Sequence, residues 1–334
     1  MKKNIGLIGA GYWGKNLVRV FFELGVLKVI CDLDKNILAE RKKEHPGLEI
    51  TEKFNDILND KDIKGVVVSA PAALHYKLTK KALLAGKDVF VEKPLSLKVK
   101  EAEELVKLAK KNKRILMVGH LLLYHPAIKK LKELIKKKEL GEVHYIYSNR
   151  LNFGKLRTEE NVLWSFAPHD VAVIIDLMED ILGMPKKVNV ISVGKSYLQK
   201  KIPDTTLSFF QFNKGKAAHI FVSWLNPFKE QKLSIIGSKG MVVFDDQSQE
   251  KLTLFKHKIG WKKEIPEAIK DEGQVIKIGN EEPLKEEAKH FLKCIAKRKK
   301  PITDGTEGLE VLKILDACQK SIDKNGKVIN VNQK

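Results

Sequence analysis

No apolar run in this 334-residue chain reaches the roughly 18 residues that a membrane-spanning helix needs. No secretory leader is expected either. Met1-Lys2-Lys3 passes at once into Ile5-Gly6-Leu7-Ile8, without the longer apolar stretch and small-residue cleavage site of a signal peptide. These absences point to a cytoplasmic protein. Cysteine is scarce: Cys31, Cys294 and Cys318 are odd in number and far apart, which argues against a disulfide framework and a zinc knuckle. Each is expected to be a small buried apolar residue. Acidic residues are in deficit, 42 against 62 Lys and Arg, giving a formal charge of +20. Such an excess attracts anionic ligands, a phosphorylated substrate among them. A nucleic-acid role would call for basic residues interleaved with aromatics, or a recognised motif, and neither is present. Lys136-Lys137-Lys138 and Lys297-Arg298-Lys299-Lys300 fall at expected helix ends, where cations meet the negative end of the helix dipole. The charge therefore reads as a lysine-rich solvated surface of the kind found in thermophiles, with no nucleic-acid or membrane partner expected.

What is present is alternation. Strand signals at Asn4–Ile8, Val26–Cys31, Gly65–Ser69, Asp88–Val91 and Ile115–Val118 alternate with helix signals at Tyr12–Leu24, Lys35–Glu44, Leu74–Ala85 and Val99–Lys111. This order predicts a doubly wound parallel sheet with helices on both faces. From Pro126 the pattern changes. Helices at Pro126–Lys138 and from about Pro168 to Leu182 accompany a series of alternating strands, which predicts a large, mostly antiparallel, open-faced sheet. Lys256–Glu282 reads as an irregular exposed excursion, and helices at Leu284–Ala296 and Thr306–Asp323 close the chain. The expected organisation is an N-terminal Rossmann domain at 1–122 and an α+β substrate and oligomerisation domain at 123–334, with the closing helix packing back on the first.

Gly9-Ala10-Gly11-Tyr12-Trp13-Gly14 spells G-x-G-x-x-G between a strand and a helix, the context that makes the pattern a dinucleotide site. Gly9 allows the tight turn, Gly11 lets the backbone approach a pyrophosphate, and Gly14 lets helix and strand pack closely. Tyr12 and Trp13 lie in the same loop. The helix N-terminus then offers free N–H groups and a positive dipole end to the phosphates. Asp32, about twenty residues on at the end of the second strand, suits the adenine-ribose hydroxyls and repels a 2′-phosphate, which favours NAD over NADP. Ser69-Ala70-Pro71 with His75, and Glu92-Lys93-Pro94, each follow a strand. Both are expected at the carboxyl edge of the sheet, in contact with the cofactor.

With Glu92-Lys93-Pro94 after the fifth strand, the chain resembles the glucose–fructose oxidoreductase, inositol dehydrogenase and rhizopine-catabolism (Gfo/Idh/MocA) family. The resemblance covers the first 130 residues and extends, less strongly, through His169 to the closing helices. It implies that Lys93 contacts the reacting hydroxyl and the nicotinamide ribose, where a partly buried lysine can stabilise an alkoxide or pass on its proton. It implies an acid or base role for His169 within Trp164-Ser165-Phe166-Ala167-Pro168-His169-Asp170. Pro168 suits a first helical turn, so His169 is expected near a helix N-terminus that keeps its ring neutral. One departure stands out: the family often carries Asp four residues before this histidine, and here the position is Ser165.

The segments around Tyr124, Arg150, Asn152 and Arg157, with Trp164, Ser165, His169 and Asp170, resemble the branch of the family acting on nucleotide sugars. Arg150 and Arg157 could grip a diphosphate in forked geometry, and Asn152 a sugar hydroxyl. His120 and His125 have no carboxylate or third histidine at ligand spacing, so no metal is expected. The resemblance implies NAD-linked oxidation of a secondary hydroxyl, first of all C3 of a UDP-linked amino sugar. A free sugar, inositol or sugar acid is the second reading, and a non-catalytic NAD-binding regulator the third. It also implies a homodimer or homotetramer, consistent with an open apolar sheet face that seldom stays in water.

Overall fold

The computed structural model describes residues 3–183 and 187–332. They form two compact units, one of residues up to Tyr124 with Glu282–Leu312, the other of His125–Glu281 with Lys313 onward.

The first unit holds a six-stranded parallel sheet of β1 (Ile5–Ile8), β2 (Leu27–Cys31), β3 (Glu49–Thr51), β4 (Gly65–Val68), β5 (Asp88–Glu92) and β6 (Leu116–Gly119). Its order is β3-β2-β1-β4-β5-β6, with the reversal between β1 and β4 that marks a doubly wound nucleotide fold. The strands are short and apolar because both faces are covered. Val66, Val67 and Val68 are fully buried, each burial contributing about 1.5–3 kcal/mol. The covering helices are α1 (Gly14–Glu23), α2 (Lys35–Glu44), α3 (Phe54–Asn59), α4 (Ala72–Leu84) and α5 (Val99–Lys111). On α1 the residues Leu17, Val18 and Phe21 recur at helical spacing and are wholly buried. β3 and α3 were not legible in the sequence, where Glu49–Asn59 carries only a short apolar pattern.

The second unit contains α6 (Pro126–Lys136), the long strand β7 (Val143–Phe153), α7 (Val162–Leu182), β8 (Lys187–Lys195), β9 (Thr205–Gln211), β10 (Ala217–Ser223), β11 (Leu225–Gly237), β12 (Met241–Asp245) and β13 (Leu252–Phe255). Then come β14 (Lys258–Lys262), β15 (Ile265–Ile269) and β16 (Gln274–Val275). Two helices, α8 (Pro283–Lys297) in the first unit and α9 (Gly305–Asp323), precede the last strand, β17 (Ile329–Asn332). Nine strands form one sheet in the order β16-β13-β12-β11-β7-β10-β9-β8-β17. It is antiparallel throughout except where β10 runs parallel to β7. Along β7 burial alternates: Ile146 and Ser148 are buried, Tyr145 and Tyr147 half-exposed.

Two expectations change. Lys256–Glu282 is not simply irregular, because β14 and β15 pair as an exposed hairpin. Its turn residues Lys263 and Glu264 both have positive φ, 48° and 69°. A tight hairpin turn of this kind normally announces itself with Asn-Gly or Asp-Gly, and neither is present. The second correction concerns α7, which starts at Val162 rather than near Pro168. Asn161 caps it, its side-chain oxygen accepting the N–H groups of Leu163 (3.1 Å) and Trp164 (3.3 Å). Pro168 therefore lies inside the helix.

Candidate active site

In the first unit the loops that leave the carboxyl ends of β1, β2, β4 and β5 carry the cofactor-site candidates. Gly9 has φ +88°, and a Cβ there would lie 2.6 Å from the Ala70 nitrogen, so no other residue fits the turn. A Cβ on Gly14 would lie 2.0 Å from the Gly9 oxygen, so the start of α1 packs directly on the loop. Gly11 faces open space apart from one distant Ile37 methyl. The first turn of α1 contains no acid that would repel a phosphate. These features form a backbone cradle that fits a dinucleotide. Tyr12 is largely exposed and Trp13 partly so.

Asp32 turns its carboxylate toward this loop: Oδ2 accepts the Ala10 N–H at 2.8 Å and Oδ1 that of Asp34 at 3.0 Å. Ser69 donates its hydroxyl to the Gly9 carbonyl at 2.5 Å. Pro71 precedes the first turn of α4. His75, one turn into α4, is 1% exposed, with Nδ1 at 2.7 Å from the Pro94 carbonyl and Nε2 at 2.8 Å from the Ala70 carbonyl. Burial pushes its proton affinity down, against the two carbonyl oxygens, and the Lys93 charge pushes the same way as burial. Glu92 is buried. Its Oε1 accepts the Trp13 indole N–H at 2.7 Å and its Oε2 the Lys93 backbone N–H at 3.2 Å. Burial raises its carboxyl above the usual range, opposed by the Trp13 bond and the Lys93 charge. Lys93 is half-buried.

Behind Glu92 lie groups that sequence reasoning did not single out. Glu287 on α8 is fully buried, and neither of its carboxyl oxygens meets a hydrogen-bond partner among the described residues. Burial, with Glu92 and Glu307 nearby, holds it well above the usual carboxylate range. Glu307 on α9 pairs with His120 Nδ1 at 2.8 Å. Tyr124, expected at the substrate, is 2% exposed; its hydroxyl meets Thr303 at 3.2 Å and its ring packs on His290.

The second unit carries the remaining candidates. Asp170 on α7 is buried and accepts from Ser148 Oγ (2.6 Å), Arg150 Nε (2.5 Å) and Arg150 Nη2 (3.2 Å). Arg150, read from sequence as a diphosphate clamp, thus spends its fork on an internal carboxylate. Arg157 donates from Nε to Ser165 Oγ at 3.0 Å and pairs with Glu160 at 3.1 Å, with 38% of its side chain exposed. Trp164 Nε1 and Asn161 Nδ2 both donate to Gln319 Oε1. Asn152 is half-buried, two residues beyond Arg150 on β7. His169 is half-buried and stands seven residues past the first residue of α7, so the helix N-terminus that was expected to hold it neutral is two turns away. Asn161 with the apolar residues after it was the cap signal that could have shown this.

Two sequence-family models match, an oxidoreductase family NAD-binding Rossmann fold over residues 3–120 and its C-terminal alpha/beta domain over 132–331. The chain belongs to the Gfo/Idh/MocA oxidoreductase family. It binds NAD through the Rossmann unit of that family. Among curated members it is similar to the UDP-N-acetylglucosamine 3-dehydrogenase of Acidithiobacillus ferrooxidans, 24% identical over 313 residues, covering 92% of this chain and 93% of that one. The structure of that dehydrogenase superposes with a TM-score of 0.83 at 21% identity, covering 96% and 97% of the two chains. Levoglucosan dehydrogenase, solved with NADH, gives 0.81 at 20% identity over 99% of both chains. An inositol 2-dehydrogenase of Lactiplantibacillus plantarum is 31% identical over a shorter stretch, 41% of each chain. Among the described residues no helix is long and apolar enough to cross a membrane, and no group of three or more His, Cys, Asp or Glu side chains is placed to hold a metal.

Proposed function

We propose that this Gfo/Idh/MocA oxidoreductase oxidises a secondary hydroxyl of a sugar, first of all C3 of a UDP-linked amino sugar. The observation that carries the dehydrogenase reading is Lys93 on the turn after β5, whose neighbour Glu92 is bonded to Trp13 of a backbone cradle that fits a dinucleotide. The residues that would hold NAD are Gly9, Gly11, Tyr12 and Gly14 of the cradle, Asp32 at the adenine ribose, and Ser69, Ala70 and Pro71. Bound NAD⁺ supplies the hydride acceptor. His169 takes the hydroxyl proton, and Lys93 stabilises the developing alkoxide. The near full-length similarity to a UDP-N-acetylglucosamine dehydrogenase supports the nucleotide sugar. Arg157 is the cation better suited to its diphosphate, since Arg150 is engaged by Asp170. Asn152 and Trp164 complete the sugar contacts. The inositol and levoglucosan dehydrogenases among the relatives keep a free polyol as the second reading.

The sheet face turned away from α7 supports a homo-oligomer of two or four copies. Tyr147, His219, Phe209 and Ile191 stand in register across β7, β10, β9 and β8, with Tyr147 and His219 stacked at 5.4 Å.

The test is NADH formation at 340 nm with UDP-N-acetylglucosamine, glucose and myo-inositol. Turnover of the UDP-sugar alone, reduced about 10²–10⁴-fold in Lys93→Ala and His169→Ala, is expected. Turnover of free polyols alone would replace the nucleotide-sugar reading. Equal rates in both variants and the parent would sink the roles given to these two residues.

A further inference from the structure

Trp13 and His75 have so far been counted with the cofactor-site residues. Their hydrogen bonds describe something else. Starting at the glycine loop, the Trp13 indole N–H reaches Glu92 Oε1 at 2.7 Å. Glu92 Oε2 receives the Lys93 backbone N–H at 3.2 Å. One peptide on, the Pro94 carbonyl meets His75 Nδ1 at 2.7 Å, and the other ring nitrogen meets the Ala70 carbonyl at 2.8 Å. Ser69, next to Ala70, returns to the Gly9 carbonyl at 2.5 Å. The path closes on the loop where it began. It joins the β1, β4 and β5 loops in one ring, and the reacting lysine sits on that ring between its two side-chain links.

We propose that Trp13 and His75 are positioning residues that lock the Lys93 turn to the dinucleotide loops through this closed path of side-chain contacts.

Three features favour positioning over direct cofactor contact. First, Glu92 has no freedom to reach outward. Its carboxyl group is buried and packs directly on Gly119, where a Cβ would lie 2.9–3.1 Å from it. Second, His75 is 1% exposed with both ring nitrogens against carbonyl oxygens; a neutral ring has one N–H, so it donates to one of them and abuts the other, and neither nitrogen is open to a ligand. Third, the ring is side chain to side chain or side chain to backbone at every link between loops, so it depends on residue identity rather than on the fold alone. A lysine that must meet a reacting hydroxyl tolerates little displacement, and misplacement by about 1 Å can cost on the order of 10²-fold in rate. Holding the turn from both sides limits that displacement.

The inference rests on the dehydrogenase reading, and the test separates the two. Trp13→Phe removes one N–H and keeps the aromatic ring. His75→Asn keeps a donor near the Nδ1 position and gives up the link to Ala70. The two variants and their combination are compared with the parent after thermal melts confirm folding. NADH affinity, read by fluorescence, is expected to stay within about threefold, while kcat falls about tenfold in each variant. Because one break opens the ring, the double variant should lose no more than the worse single, a non-additive cycle. A tenfold weaker NADH affinity with kcat preserved would overturn the proposal, as would losses that multiply. If the parent turns over no alcohol, the dehydrogenase reading has failed on its own. The acylation rate of Lys93 by an amine-reactive ester, read by mass spectrometry, then decides. A change of threefold or more in either variant supports the ring, and the parent rate in both overturns it.

Discussion

Glu287→Gln isolates the consequence of burying a third carboxyl group behind Glu92. The side chain is fully buried on α8, both oxygens lack a partner among the described residues, and Glu92 and Glu307 add like charge. Burial and these neighbours raise its folded pKa well above the ordinary 4.5. The folded state therefore keeps a proton that the unfolded chain releases. With the folded value raised, the stabilising contribution is full below pH 4.5 and is lost as pH rises through the folded value. Glutamine has no proton to lose, so the variant should gain on the parent by about 1.4 kcal/mol per pH unit above 4.5 while Glu287 stays protonated. That slope is worth roughly 3–6 °C in Tm per pH unit for a unit of this size, until the folded value is reached. The assay is a pair of thermal melts at pH 4, 5, 6 and 7 without cofactor. Coincident melts at pH 4 and a gap widening toward pH 7 are expected. A gap that does not change with pH, or a glutamine variant less stable throughout, would refute the reasoning and mean that Glu287 folds as a satisfied anion.

Two further predictions concern charge at the cofactor and the substrate. Asp32→Ser removes the carboxylate that repels a 2′-phosphate, a repulsion of about 1–4 kcal/mol at 4 Å. The NAD over NADP ratio of kcat/KM should fall at least fivefold, and NAD itself should bind less well because Ala10 loses its acceptor; an unchanged ratio would remove Asp32 from cofactor choice. Arg150→Ala and Arg157→Ala should part company. The first leaves buried Asp170 unpaired and destabilises by about 3–5 kcal/mol, visible as a lower Tm. The second keeps Tm and raises KM for the UDP-sugar; the reverse pattern would exchange their roles.

The parts of this site that could be read in the sequence are those whose meaning is local. Gly9, Gly14 and the Glu92-Lys93-Pro94 turn are defined by what the neighbouring few residues must do, since a tight turn after a strand limits both conformation and residue type. The doubly wound sheet followed from its alternation of apolar strands and helices for the same reason. What the sequence concealed is long-range. Trp13 and Glu92 are 79 positions apart, and Arg150 and Asp170 are 20 apart on different elements. No periodicity distinguishes an arginine that faces a buried carboxylate from one that faces solvent. The misplaced start of α7 has another cause: Pro168 satisfies the rule for a first helical turn, but Asn161 satisfies the stronger capping rule seven residues earlier, with its side chain bonded to two backbone N–H groups.

The serine at 165 follows the same logic. Where the family often has an acid four residues before the histidine, an acid here would sit against Arg157, which already pairs with Glu160. Serine instead accepts the Arg157 N–H without neutralising it further. Asp170, the acid next to His169 in sequence, is not a substitute for the lost charge, because Ser148 and Arg150 occupy both of its oxygens. The second unit has thus committed one arginine to an internal ion pair. It keeps the other partly exposed, with one carboxylate and one hydroxyl as partners. With serine rather than an acid at 165, the stretch leading into α7 carries Arg157 as a partly exposed cation beside Glu160. On the reading proposed above, that cation suits a substrate that brings its own negative charge, as a nucleotide sugar does, and gives a neutral polyol no advantage.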